Sequence, residues 1–286
     1  MRKLVLVHGR GQHDKDPKAL KEAWIDALRN GLAGSGLDLP VAPQDIAFPY
    51  YGDVLNNLVE GEDEAITRGS SEDQQEIEFR QLLMEEMAEA AGITPDDILS
   101  ASEDPTVSRD LFNAGWARAI MRAFDNHLPL VSGLAVARFT RDVWAYLKRP
   151  GVRDAVERLV LDKIADNECV VVGHSLGSIV AYGTVNRDDR LKAPVLITIG
   201  SPLGVGRIQD AIGVMRRPGC VKRWYNARDR RDFVALYLLK RPQFVINPEV
   251  DENYDKVNNF ESNRHGIAGY LSDTHVAREI YNGLKA

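Results

Sequence analysis

The chain has 286 residues, of which 44% are hydrophobic and 27% charged, and its formal net charge at pH 7 is −6. This composition is ordinary for a globular protein, and the length suits a single α/β domain that carries an insertion. The negative charge disfavours binding to nucleic acid or to an anionic membrane surface. No apolar run approaches the roughly 20 residues that span a bilayer, and no signal peptide is visible, so we expect a cytoplasmic protein.

The chain contains only two cysteines, Cys169 and Cys220. Each leads into an apolar run with the character of a strand. We therefore expect buried thiols and no disulfide or metal site. We also expect no cofactor.

The first 50 residues have the pattern of a βαβ unit. An apolar run predicts a strand over 3–7, apolar residues three and four apart predict a helix from about 17 to 32, and a second short strand is expected over 45–50. Such a unit implies a parallel sheet with right-handed crossovers. Its first strand leads directly into a turn-rich, glycine-containing loop.

Helical patterns dominate residues 52–150, with helices expected over 73–91, 110–124 and 134–147. Because this segment interrupts the α/β alternation, we interpret it as a helical insertion that covers a site as a lid. The alternative for its acidic stretch, residues 60–104, is a solvated helical face. Most of its large apolar side chains should pack within the lid or on the sheet and a minority should line an acyl pocket; the candidates are Leu82, Leu83, Met84, Met87, Phe112 and Trp116.

Alternation of strands and helices resumes after residue 150. The expected elements are a helix over 152–164, a strand that ends at 172, a helix that opens at about 178, a strand over 195–199, a short helix over 208–215, a strand over 221–225 and a final helix over 274–284. The chain therefore predicts an α/β fold in which helices flank a mostly parallel, twisted sheet. We treat residues 1–286 as one domain.

The pentapeptide Gly173-His174-Ser175-Leu176-Gly177 lies between an apolar strand and a helix rich in small residues. A serine raised above the end of a parallel sheet requires a strained turn with positive φ. Helix and strand can close on such a turn only when the residues two before and two after the serine lack side chains. The helix N-terminus then directs its free N–H groups towards the serine. The motif therefore predicts a nucleophile elbow with Ser175 as the nucleophile.

A serine hydroxyl needs a base, and the base needs an acid that orients it. In open α/β sheets these groups come from loops at the carboxyl ends of strands. Asp229 and Asp232 both follow the strand over 221–225. We favour Asp232, because the following Phe-Val-Ala would anchor it in the core, whereas Asp229 lies between Arg228 and Arg230 and is more easily a solvated ion-pair former.

Of the six histidines, two follow the candidate acids in the chain. His265 lies in a loop from which its ring can reach Ser175, whereas His275 begins the last helix, where a surface role is expected. His174 should point away from its neighbour Ser175. We therefore favour His265 as the base.

The loop His8-Gly9-Arg10-Gly11 follows the first strand directly. Its glycines let backbone N–H groups approach a substrate oxygen. The N–H groups of Arg10 and Leu176 are the expected donors of an oxyanion hole. The alternative is a tight turn without a ligand.

These motifs, together with Gly200-Ser201-Pro202, resemble the α/β-hydrolase superfamily and most closely its lipase-like serine esterases. The similarity covers roughly residues 1–50 and 151–286 and departs from the superfamily in lacking two leading antiparallel strands and in placing its insertion before the nucleophile. The resemblance implies a triad in the chain order Ser175, Asp232, His265. The expected function is hydrolysis of a small-molecule carboxylic ester through an acyl-enzyme. The alternatives are acyl transfer or amide hydrolysis by the same groups, and a catalytically silent module that binds a partner through its inserted helices.

Overall fold

A computed structural model of the chain describes residues 2–63, 71–104, 114–128, 131–164, 167–260 and 263–286. Six described strands form one sheet in which every neighbouring pair is parallel. The strands are β1 (Lys3–Val7), β2 (Ile46–Ala47), β3 (Cys169–His174), β4 (Val195–Ile199), β5 (Arg223–Ala227) and β6 (Glu252–Tyr254). Their order across the sheet is β2-β1-β3-β4-β5-β6. The carboxyl ends of β1, β3 and β5 therefore meet at one edge, where the loops that follow them come together.

Helices cover both faces of this sheet. They are α1 (Pro17–Ala33), α2 (Gly52–Asp63), α3 (Ser71–Ala90), α4 (Pro95–Ser100), α5 (Ala114–His127), α6 (Gly133–Lys148), α7 (Pro150–Ile164), α8 (Leu176–Asn186), α9 (Gly206–Ile212), α10 (Ile267–Leu271) and α11 (Thr274–Lys285). Side chains alternate across a strand, so Leu4 and Leu6 pack with α1, α10 and α11 on one face, whereas Val5 and Val7 pack with the cluster of α2 to α9 on the other. Burial on both faces explains why the strands are almost continuously apolar.

The expected α/β fold with a parallel, helix-flanked sheet is confirmed, but three strand predictions need correction. The strand expected over 45–50 is reduced to Ile46–Ala47, and Pro49, which has no N–H for a ladder, lies just beyond it. The strand expected over 221–225 begins two residues later, because Arg223 is the residue that pairs with Val195. Strand β6 was not predicted, since its three residues are polar or aromatic and only half-buried.

Helices α2 to α7 occupy the chain between β2 and β3, and the interpretation of residues 52–150 as a helical insertion that covers the site as a lid stays a prediction. Of the apolar side chains singled out there, Leu83, Met84, Met87 and Trp116 are buried. They belong to the hydrophobic cluster on the α2 face of the sheet. Phe112, like residues 110–113 of the helix expected there, lies outside the described residues.

Both cysteines are buried and unpaired in the structure. Burial raises the pKa of the Cys169 thiol to about 12. No helix within the described ranges combines the length and apolar character needed to cross a membrane.

Candidate active site

Ser175 occupies the turn between β3 and α8 with φ +58° and ψ −133°. This conformation is strained for a residue that carries a side chain. The turn is possible because its flanking residues are glycines: a Cβ on Gly173 would lie 2.5 Å from the carbonyl oxygen of Gly177, and a Cβ on Gly177 would collide with the backbone of Val7 and His8. Strand and helix therefore close around the serine as the pentapeptide predicts.

The structure brings Ser175, His265 and Asp232 together as one hydrogen-bonded chain. His265 Nε2 lies 2.7 Å from Ser175 Oγ, and His265 Nδ1 lies 2.7 Å from Asp232 Oδ2. An aspartate oxygen can only accept here, so Nδ1–H donates to it and Nε2 is left to accept the serine proton. These distances are those that a nucleophile, base and orienting acid require.

Asp232 is fully buried, and its carboxylate accepts hydrogen bonds on both oxygens. Oδ2 also accepts from the hydroxyl of Tyr270 at 2.6 Å, and Oδ1 accepts from the N–H of Val234 at 2.8 Å. Burial alone would raise the pKa of Asp232, but the attraction of His265 and these hydrogen bonds outweigh it and lower the pKa below its ordinary value. The carboxylate therefore stays ionised beside the histidine.

Asp229 is not the solvated ion-pair former that the sequence suggested, because its side chain is buried. It accepts from the N–H and guanidinium of Arg231 and from the N–H of Asn259 at 2.9 Å. Its carboxylate thus joins the loop after β5 to the segment that leads to His265. The structure brings Asp232, and not Asp229, to the histidine.

His174 contacts the candidate base, His265, through a hydrogen bond and through its ring. Its Nε2–H donates to the backbone oxygen of His265 at 2.9 Å, and the two ring centroids lie 4.7 Å apart. Burial, and then the proximity of His265, lower the pKa of His174 to about 3, so its ring stays neutral. His275 lies in the first turn of α11, stacked on Tyr254 with ring centroids 4.2 Å apart, and takes no part in this cluster.

The loop after β1 is held by hydrogen bonds that fix its peptide groups. His8 Nδ1–H donates to the carbonyl oxygen of Gly9 at 2.7 Å, while His8 Nε2 accepts from the N–H of Tyr51. The Gly9 carbonyl and the Arg10 N–H belong to one trans peptide and point in opposite directions. The bond from His8 therefore fixes the direction of the Arg10 N–H. Burial lowers the pKa of His8 to about 4, which keeps this ring neutral and its tautomer set.

The second expected oxyanion donor, Leu176, is the first residue of α8. Its N–H is one of those that a helix leaves without an intrahelical acceptor. It follows the serine directly, and the helix dipole favours negative charge at this end. The role of both N–H groups stays a prediction.

Ser175 lies in a cleft of about 410 Å³. Apolar side chains from α1, α6, the loop after β5 and the start of α10 form much of its wall: Leu20, Trp24, Ala135, Phe139, Phe233 and Ile267. Gly9, Arg10 and His265 line the same cleft. Its size and lining suit a small organic substrate.

Among the described residues of the segment 52–150, Ala135 and Phe139 line this cleft. None of the described apolar residues singled out from the sequence lies there, and Trp116 lines a separate cavity. The helical spacing of Ala135 and Phe139, four residues apart, was the available signal for a shared face. Tyr270 and His174 carried no comparable signal, because only the tertiary fold brings them to Asp232 and His265.

No protein-family model matches the chain, and a search of curated proteins finds no match. The functional argument therefore depends on the residues themselves.

Proposed function

We propose that this chain is a serine hydrolase of the α/β-hydrolase superfamily that cleaves carboxylic esters through an acyl-enzyme on Ser175. The observation that carries the proposal is the hydrogen-bonded chain from Ser175 through His265 to Asp232, with the serine at a strained turn in an apolar-walled cleft. Backbone strain and hydrogen-bonded titratable groups of this kind occur mainly at functional sites, so a serine without a chemical role would not be expected in this arrangement.

In the proposed reaction, Ser175 Oγ attacks the ester carbonyl while His265 Nε2 takes the serine proton. The N–H groups of Arg10 and Leu176 stabilise the negative charge that develops on the carbonyl oxygen. His265 then gives its proton to the departing alcohol, which leaves an acyl group on Ser175. Water, deprotonated by His265, attacks the acyl group, and the acid is released as the proton returns to Ser175.

The test is fluorophosphonate labelling of the wild type and of Ser175→Ala, together with turnover of p-nitrophenyl esters of graded chain length. We expect the wild type to be labelled, and Ser175→Ala to lose labelling and about 10⁶-fold of turnover. Ser178→Ala is the matched control, since the Ser178 hydroxyl bonds the carbonyl of Ser175 and the hydroxyl of Ser201 rather than the histidine. A wild type that resists labelling and hydrolyses no ester contradicts the proposal and favours the partner-binding alternative.

Acyl transfer and amide hydrolysis use the same groups and differ in the acceptor or the leaving group. Adding alcohols or amines to the ester assay, and replacing the ester with a p-nitroanilide, separates these reactions. We expect water to remain the dominant acceptor.

A further inference from the structure

Asp142 is a buried residue of α6 whose carboxylate contacts the loop after β1. Its Oδ2 accepts a hydrogen bond from Arg10 Nε at 2.6 Å, and its Oδ1 accepts from the guanidinium of the neighbouring Arg141 at 3.2 Å. Arg10 lines the cleft that contains Ser175, whereas Asp142 does not. Asp142 therefore reaches the candidate active site through Arg10.

The main chain of the loop after β1 lies against the candidate nucleophile. A Cβ on Gly9 would lie 2.9 Å from Ser175 Cβ and 3.3 Å from Ser175 Oγ. The peptide that joins Gly9 to Arg10 therefore adjoins the serine. The N–H of this peptide is the one expected to act as an oxyanion donor, and such a donor is effective only when its direction is fixed before the reaction.

Arg10 is held by contacts before it, after it and at its side chain. His8 bonds the Gly9 carbonyl in the peptide before Arg10, and Gln12 Nε2 donates to the carbonyl of Arg10 itself at 3.0 Å. These two bonds are local and set the shape of the loop. The bond to Asp142 spans 132 positions of the chain and fixes Arg10 relative to a helix.

Helix α6 is a firm support for this contact, because one of its faces is packed in the core. That face carries three residues that are 0% exposed: Val136, Thr140 and Val143. Ala135, Phe139 and Asp142 are four and three residues apart and so share the adjacent face. Ala135 and Phe139 line the serine cleft. The helix that forms part of the cleft wall thus also holds the side chain of the expected oxyanion donor.

We propose that Asp142 is a positioning residue of the esterase reaction. By holding the Arg10 guanidinium, it keeps the Arg10 N–H directed at the carbonyl oxygen that becomes negative in the transition state. The inference rests on the proposed function for the reaction and for the oxyanion role of Arg10. A charge-assisted hydrogen bond to a buried carboxylate is stronger than a neutral one, so it restrains a loop effectively. Loss of this bond should weaken binding of the transition state more than binding of the ester.

Ester kinetics test the proposal. Asp142→Ala should lower kcat about tenfold and change KM less than about twofold. Asp142→Asn keeps an oxygen that can accept from Arg10 and should recover kcat to within about threefold of the wild type. Arg10→Met keeps the main-chain N–H but removes the guanidinium, so it should match Asp142→Ala. The double variant R10M/D142A should lose little more than either single variant, because all three lack the same contact.

Glu76→Ala is the matched control. Glu76 is also a buried carboxylate that accepts from two guanidinium groups, those of Arg80 at 2.9 Å and Arg149 at 2.8 Å, but it does not line the serine cleft. Its loss should lower stability and leave kcat within about twofold of the wild type. If Asp142→Ala does not fold, Arg10→Met takes its place. A fall in kcat of less than about threefold in the folded variant overturns the proposal.

A pair of inhibitors distinguishes a loss at the oxyanion from a general loss of structure. An alkyl trifluoromethyl ketone accepts Ser175 Oγ at its carbonyl carbon; the serine proton passes to His265 and the carbonyl oxygen becomes an oxyanion. The alcohol with the same carbon skeleton binds without this step. Asp142→Ala should weaken the ketone about tenfold and leave the alcohol within about twofold. Equal weakening of the two inhibitors overturns the positioning role.

Backbone dynamics separate this inference from the esterase proposal, because they need no turnover. In ¹⁵N-labelled wild type, the N–H at position 10 should have an order parameter of about 0.85, that of rigid backbone. Asp142→Ala and Arg10→Met should lower it to below about 0.7, and Glu76→Ala should not. An unchanged order parameter in Asp142→Ala overturns the inference even if the protein hydrolyses esters. A lowered one supports it even if no ester is cleaved, and the esterase proposal then fails on labelling alone.

Discussion

The hydroxyl of Tyr270 donates to Oδ2 of Asp232 at 2.6 Å, and this is the same oxygen that accepts from His265. The phenol oxygen in turn accepts the N–H of Asp229 at 3.0 Å. Burial raises the pKa of Tyr270 well above its ordinary value, so the hydroxyl keeps its proton and remains a donor. Tyr270 therefore fixes the orientation of the carboxylate that orients the histidine, and we assign it a positioning role.

Tyr270→Phe should lower kcat about tenfold with little change in KM, because the carboxylate loses a donor while the substrate cleft is untouched. The buried N–H of Asp229 also loses its acceptor, so the free energy of unfolding should fall by about 1–3 kcal/mol. Ester kinetics and urea unfolding measure the two effects. Tyr225→Phe is the control, since that hydroxyl contacts His275 away from the cleft. Equal kinetics of the two variants would exclude the positioning role.

Substitution of Asp232 and substitution of Asp229, both in the loop after β5, should have different effects on turnover and on stability. Asp232→Asn leaves the histidine in the wrong tautomer and should lower turnover about 10⁴-fold. Asp229→Asn weakens the buried contacts with Arg231 and Asn259 and should lower stability by about 1–3 kcal/mol, while turnover of the folded enzyme falls less than about tenfold. Ester kinetics below the unfolding transition distinguish the two. The reverse ranking would make Asp229 the acid.

The strained φ of Ser175 predicts an unusual stability order for two substitutions of this residue. Ser175→Gly and Ser175→Ala both remove the hydroxyl, but glycine adopts φ +58° without strain and alanine does not. Relief of about 1–3 kcal/mol of strain exceeds the roughly 0.5–1 kcal/mol of extra chain entropy that glycine loses on folding. We expect Ser175→Gly to be more stable than Ser175→Ala by about 1 kcal/mol in urea unfolding. Alanine as the more stable variant would contradict the assignment of strain.

Buried neutral histidines predict a loss of stability on mild acidification. His8 and His174 have pKa values lowered by burial from 6.5 to about 4 and about 3. Between pH 6.5 and about 4, these histidines bind protons in the unfolded chain but not in the folded chain. The free energy of unfolding therefore falls as the pH falls. Each ring contributes up to about 1.4 kcal/mol per pH unit in this window. The lowered pKa of Asp232 changes the free energy of unfolding only below this pH window.

Urea unfolding at pH 7, 6 and 5 measures that slope. His174→Gln keeps an N–H donor for the carbonyl of His265 but cannot protonate, so its slope should be shallower than that of the wild type. A slope for His174→Gln equal to that of the wild type would contradict the lowered pKa of His174.

The sequence predicts those parts of the fold and the site that depend on local chemistry. The strand–glycine–serine–glycine–helix pattern around Ser175 reflects a steric requirement of a single turn, to which the close approach of Val7 and His8 to Gly177 is added in the fold. Strand β4 was predicted over its full length, because a run of five apolar residues in a parallel sheet is buried on both faces. The choice of Asp232 also came from local context, the apolar residues that follow it.

What could not be predicted depends on contacts between distant parts of the chain. Tyr270 meets Asp232 across 38 positions, and Arg10 meets Asp142 across 132. Neither contact has a recognisable sequence motif, because a tyrosine in a short helix or an arginine in a loop is common in any protein. Asp229 was misjudged for the same reason: its neighbours in sequence are charged, but the segment at Asn259 covers it in the fold.

The pairing of β1 with β3 joins Lys3 to Cys169 and Val7 to Gly173. During synthesis, β1 leaves the ribosome long before the strand that it must pair with exists. At translation rates of about 5–20 residues per second, this delay is on the order of 10–30 s. Over that interval an apolar strand needs protection from wrong partners, by pairing with the short β2 or by a chaperone. The loop after β1 is thus made long before the turn at Ser175, against which its Gly9 lies.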